Sequence, residues 1–114
     1  MIFITGPMFS GKTRFAAQLL CCGETLPAGR AVTRVQELAA QCADPAALVA
    51  LADRLAAYEV VVADEVGGGV VPIDPAERAA REAAGQLACL LAERAETVVR
   101  LFCGLPTVLK GVLP

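Results

Sequence analysis

The chain opens on Met1-Ile2-Phe3-Ile4-Thr5, a nearly unbroken apolar run that ends at a glycine. A strand buried on both faces needs apolar side chains on both sides of its pleat, so this run predicts the central strand of a parallel sheet. From Gly11 to about Cys22 the period changes, with Ala16, Leu19 and Leu20 at helical spacing. Gly23 stands where that helix would be capped, and Pro27 and Gly29 mark a loop. Ala31 to Cys42 is weakly helical, through Val35, Leu38, Ala39 and Cys42, with a short strand at Ala31–Val35 as the alternative. Asp44-Pro45 then combines an N-cap with a proline at the first helical position. Leu48, Leu51, Leu55 and Tyr58 follow three and four residues apart, predicting an amphipathic helix over Pro45 to Tyr58.

The β-branched run Glu59-Val60-Val61-Val62-Ala63 predicts a second buried strand, ending in Asp64-Glu65. Val66 to Ile73 is a glycine-rich loop, and Asp74-Pro75-Ala76-Glu77 has the form of a capping box. The helix it opens is expected to reach about Ala95, with Ala80, Ala83, Ala84, Leu87, Leu90 and Leu91 inward. Thr97 to Cys103 reads as a third strand, Gly104-Leu105-Pro106 as a turn and Thr107 to Pro114 as a short tail. Strands alternating with helices imply a parallel sheet with right-handed crossovers. The expected fold class is therefore α/β, a P-loop NTPase-like three-layer α/β/α arrangement with a small, mainly parallel sheet.

Composition narrows the chemistry. The 114 residues predict one domain, and the 56% apolar content excludes a disordered chain. Aromatics are only 4%, so the core rests on Ala, Val and Leu; such a thin core favours a homo-oligomer or a bound ligand. Histidine is absent, which removes His general bases, Ser-His-Asp triads and His metal ligands. A formal charge of −2 gives no basic face for nucleic acid. No uncharged apolar run approaches the ~20 residues of a membrane span, and no signal-peptide pattern is present, so a cytoplasmic protein is expected. The odd set Cys21, Cys22, Cys42, Cys89 and Cys103 has no C-x-x-C spacing and reads as reduced, buried thiols.

The strongest motif is Gly6-Pro7-Met8-Phe9-Ser10-Gly11-Lys12-Thr13, which satisfies G-x-x-x-x-G-K-[ST] between a strand and a helix. Its glycines let successive backbone N–H groups converge on phosphate oxygens, and the helix behind presents its positive end. In that role Gly6 to Thr13 bind a nucleotide, ATP or GTP. Lys12 reaches the β- and γ-phosphates, and Thr13 offers a hydroxyl to Mg²⁺. The second expected part is a carboxylate at a strand end, supplied by Asp64 and Glu65. Asp64 is the candidate metal residue and Glu65 the candidate base toward an attacking hydroxyl, with the division of labour left open. Against this stands the plain reading of a Gly-rich turn and a polar strand end.

From Glu65 onward the chain resembles a family. Glu65-Val66-Gly67-Gly68-Gly69-Val70-Val71-Pro72 matches E-V-G-x-G-[IV]-V-P, Arg78 with Arg81-Glu82 resembles R-x-[FY]-R-[DE], and Gly104-Leu105-Pro106 with Lys110 resembles G-L-P…K. These strings are similar to those of the adenosylcobinamide kinase / adenosylcobinamide-phosphate guanylyltransferases of cobalamin biosynthesis, over roughly Met1 to Cys22 and Val60 to Lys110. The resemblance implies phosphoryl transfer to the aminopropanol hydroxyl of adenosylcobinamide, with Arg78 and Arg81 clamping phosphate and subunits assembled as oligomers. Arg78 and Arg81 lie three apart on one helix face, where they equally suit ion pairs with Glu77 and Glu82. The resemblance also implies a longer middle section with a guanylylated histidine, and this chain has neither. The Gly6–Thr13 loop itself is similar to that of thymidine kinase-type enzymes. The leading expectation is an adenosylcobinamide kinase using Mg²⁺ with ATP or GTP; the alternatives are a non-catalytic nucleotide-binding module and a nucleoside kinase.

Overall fold

The computed structural model describes residues 1–23, 25–65 and 74–114. The elements run β1 (Ile2–Gly6), α1 (Lys12–Leu20), β2 (Ala31–Val32), α2 (Val35–Ala39), α3 (Pro45–Leu55), β3 (Val60–Asp64), α4 (Pro75–Arg94), β4 (Thr97–Phe102) and β5 (Leu105–Lys110). They form a five-stranded sheet in the order β2-β3-β1-β4-β5, an α/β fold of the P-loop NTPase-like kind. β1 is central and parallel to both neighbours, with Phe3 opposite Val61 on one side and Val98 on the other.

The near-continuous apolar strands are explained by cores on both faces. Phe3, Val61, Ala63 and Val98 point to the face covered by α2, α3 and α4, where they meet Val35, Leu48, Leu51, Leu87 and Leu91. Ile4, Val60, Val62, Val99 and Leu101 point to the other face, against Ala16 of α1. The chain moves outward from β1 to β2 and then back across the sheet from β2 to β3 and β4. With crossovers of one hand, opposite directions of travel put helices on opposite faces.

Several expectations shift. The first helix spans Lys12–Leu20 and ends one turn before Gly23, because Cys21 takes the left-handed conformation (φ 53°) and the Cys22 N–H donates to the Ala17 carbonyl at 3.2 Å. The Ala31–Cys42 segment divides, its apolar start pairing with β3 and its helical remainder forming α2. Asp44 caps α3 through the Ala47 N–H at 2.8 Å. At α4, Asp74 caps the Ala76 N–H at 3.0 Å while Glu77 pairs with Arg81.

The expected tail is a strand. β5 returns antiparallel to β4 through a tight turn in which Cys103 (φ 52°) and Gly104 (φ 75°) are both left-handed, the conformation that joins hairpins most closely. Lys110 donates to the carbonyls of Ala92 and Glu93 at 2.9 and 3.1 Å, so it caps the C-terminal end of α4. The cysteines are free, but Cys21, Cys89 and Cys103 are exposed and Cys22 and Cys42 half-buried, contrary to a buried placement. The glycine-rich loop Val66 to Ile73, with most of the E-V-G-x-G-[IV]-V-P string, lies outside the described residues.

Candidate functional site

The site forms where β1 and β3 lie side by side. Their registered ends place Gly6 opposite Asp64, and the helices that follow β1 and β3 lie on opposite faces of the sheet, the position at which open α/β sheets bind ligands. The Gly6–Thr13 loop forms one wall. Gly6 has φ +153°, and a Cβ there would stand 2.3 Å from the Leu101 carbonyl oxygen and 2.9 Å from Ser10 Oγ. Phe9 is left-handed (φ 60°) and 97% exposed at the loop tip. The Gly104 N–H donates to the Ser10 carbonyl at 2.9 Å, tying the loop to the β4–β5 turn.

A cavity of about 410 Å³ sits over this loop, lined by Met8 to Arg14 together with Thr33, Arg34, Val62 and Asp64. Lys12 is only 5% exposed. Its ammonium group donates to the Pro7 carbonyl at 2.6 Å and lies 3.4 Å from Ser10 Oγ and 2.7 Å from Asp64 Oδ1. All three donors of the ammonium are thereby engaged, at the base of a concave loop. Asp64 is held from the other side by Gln36: the Gln36 amide donates to Oδ2 at 3.1 Å, and its carbonyl accepts from the Asp64 N–H at 3.0 Å.

Glu65 is separate from that cluster. Its N–H donates to the Gly6 carbonyl at 2.8 Å, and its carboxylate accepts from Arg100 Nε and Nη2 at 2.5 and 3.0 Å. That fork of hydrogen bonds, with the negative charge behind it, raises Arg100 further above its ordinary value. Arg100 also lies over the Phe102 ring, 5.5 Å from its centroid.

The structure therefore brings Lys12, Thr13 and Asp64 to one cavity and sets Glu65 beside it. Arg78 and Arg81 stand on the first two turns of α4 and do not line that cavity; Glu77 Oε1 lies 3.5 Å from Arg81. The oxygen donors suit Mg²⁺: Thr13 and Asp64 line the same space, and magnesium takes few protein ligands and completes its shell with water and phosphate oxygens. Among the described residues no group of three or more His, Cys, Asp or Glu forms a protein cage.

Sequence reading missed Gln36, Arg34 and Arg100. Arg100 had a legible signal, a charge within the apolar Val98-Val99-Arg100-Leu101 run. Gln36 had none, because its partner is 28 residues away.

A mostly parallel sheet whose central strand feeds a glycine loop and helix, with an acidic end on the adjacent strand, defines the P-loop NTPase-like class. Within it, the family model described as cobinamide kinase / cobinamide phosphate guanyltransferase matches residues 29–109, and the chain belongs to that family. Membership implies a role in cobalamin biosynthesis. The match takes in the segment between Cys22 and Val60 from residue 29 onward, beyond the two blocks of resemblance, and does not reach the Gly6–Thr13 loop. Among curated proteins none matches the chain. No helix of the described residues is long and apolar enough to cross a membrane.

Proposed function

We propose that the protein is an adenosylcobinamide kinase that moves the γ-phosphoryl group of ATP or GTP to the aminopropanol hydroxyl of adenosylcobinamide. The observation that carries this reading is the Lys12–Asp64 contact of 2.7 Å at the base of the loop cavity. A cation and a carboxylate there match what nucleotide phosphates and their counter-ion require. Loop N–H groups and Lys12 bind and orient the phosphates, whose oxygens replace the Pro7 carbonyl as partners of the ammonium. Thr13 and Asp64 would hold Mg²⁺, which supplies charge neutralisation at the β- and γ-phosphates when bound.

In the transfer, the acceptor oxygen bonds to the γ-phosphorus as the bond to the β–γ bridging oxygen breaks. The nucleoside diphosphate leaves with that electron pair. Glu65 takes the hydroxyl proton and passes it to water. With no histidine in the chain, the proposal stops at the kinase reaction. A homo-oligomer and a cytoplasmic setting belong to the same reading. The exposed Leu105, Val108 and Leu109 on edge strand β5 support the homo-oligomer, and a single monomer boundary in sedimentation velocity at micromolar concentration would contradict it.

The test is transfer of γ-labelled phosphate to adenosylcobinamide. The wild type is expected to form labelled product, and Lys12→Ala to be slower by about 10²–10³-fold. A second reading, a nucleotide-binding module without catalysis, is favoured by the Arg100 fork on Glu65, which competes with its use as a base. Tight nucleotide binding with no product in the same assay would overturn the kinase reading and favour the module.

A further inference from the structure

Asp64 borders two cavities. Beyond the loop cavity, on the α4 side of the sheet, lies a smaller one of about 120 Å³. Its polar lining is Asp64, Glu65, Gln36 and Thr5, and its apolar lining comes from α2, β3 and α4. The shared wall is fixed, since Gln36 grips both the carboxylate and the backbone N–H of Asp64.

Phosphoryl transfer runs with attacking and leaving oxygens roughly in line. With donor phosphates on the Lys12 side, the acceptor must come from another side, and the second cavity shares the Asp64 wall with the first. At ~30 Å³ for each water-sized group it holds about four heavy atoms, which is a short aliphatic chain end and far less than a macrocycle. Polar groups beside an apolar lining suit an alkyl alcohol.

The cavity is kept open by small residues on α4. Ala84, Gly85 and Ala88 line it. Among the described residues nothing lies within 4 Å of a Cβ built at Gly85, so their packing does not demand glycine there. Glycine in a helix interior nevertheless costs roughly 1 kcal/mol relative to alanine. We propose that this cavity receives the hydroxyl-bearing aliphatic arm of the phosphoryl acceptor, with Gly85 and Ala88 setting its size. The proposal rests on the kinase reading.

The test separates the two. Adenosylcobinamide binding is measured by equilibrium dialysis, read at the corrin absorbance, for the wild type and for Gly85→Ala, Gly85→Leu and Ala88→Leu in the presence of a non-hydrolysable nucleotide. Affinity is expected to fall with side-chain size, by at least tenfold in both leucine variants, while nucleotide affinity stays within twofold and circular dichroism shows folded protein. Should Ala88→Leu fail to fold, Gly85→Leu, whose side chain starts clear of the described residues, carries the result. Unchanged cobinamide affinity in the leucine variants, or no binding by the wild type, overturns the cavity assignment. Size-sensitive binding here, together with no labelled product from the wild type in the γ-phosphate transfer assay, overturns the kinase reading and leaves the cavity as a binding site for the arm.

Discussion

Lys12 and Gly6 show how single residues make the loop what it is. A lysine that is 5% exposed must have its charge met, and Pro7, Ser10 and Asp64 meet it within the loop. The ammonium N–H groups that they accept from are the ones a phosphate would use. Gly6 matters for a different reason. Any side chain there drives into the Leu101 carbonyl and the Ser10 hydroxyl, from a backbone conformation that L-residues avoid. Gly6→Ala is expected to cost at least about 3 kcal/mol and to lower the urea midpoint accordingly. An unchanged midpoint would show that β4 yields instead. The loop was legible in sequence because its signature is local. The partners of Asp64 and Glu65 were not, since Gln36 reaches Asp64 from α2 and Arg100 reaches Glu65 from β4.

At the scale of elements, caps and periods read well where a helix carries its own start signal. Asp44-Pro45 and Asp74-Pro75 both open helices where expected. β5 was hidden because its turn, Cys103-Gly104, lacks the Asn-Gly or Asp-Gly pair that marks a hairpin, and because Pro106 stands inside the strand. β2 has two residues and exists through its pairing with β3. Arg30 and Glu59 form an ion pair just before these two strands, and the Arg30 carbonyl accepts from the N–H groups of Glu59 and Val60. The hydrogen bond from Arg30, aided by its charge, holds the Glu59 carboxyl below its ordinary value of 4.5. A depressed value means that the stabilisation is fully present above 4.5 and is lost as pH falls through the folded value. Glu59→Gln should therefore unfold at lower urea than the wild type near pH 7, with the gap narrowing as the pH is taken progressively below 4.5. A gap independent of pH would assign the loss to something other than this charge.

For the whole molecule, the reversal of strand order at β1 creates the crevice, and a ligand bound there ties both faces of the sheet together. Mg²⁺ with ATP at a hundredfold excess over Kd is expected to add about 2.7 kcal/mol of stability, raising Tm by about 10 °C. Lys12→Ala should abolish the rise, and a wild type that shows none would refute nucleotide binding. The sequence by itself determined the α/β class, the central position of β1, the loop and the acidic strand end, because apolar period, capping residues and glycine spacing are properties of neighbours along the chain. The missing histidine was likewise fixed there, and it limits the proposed chemistry to phosphoryl transfer. Only the tertiary structure decided which groups hold Asp64 and Glu65, that Lys110 caps α4, and that a small cavity lies behind Asp64. Those outcomes depend on strand register and on which helix covers which face, and both are settled by packing residues distant in sequence.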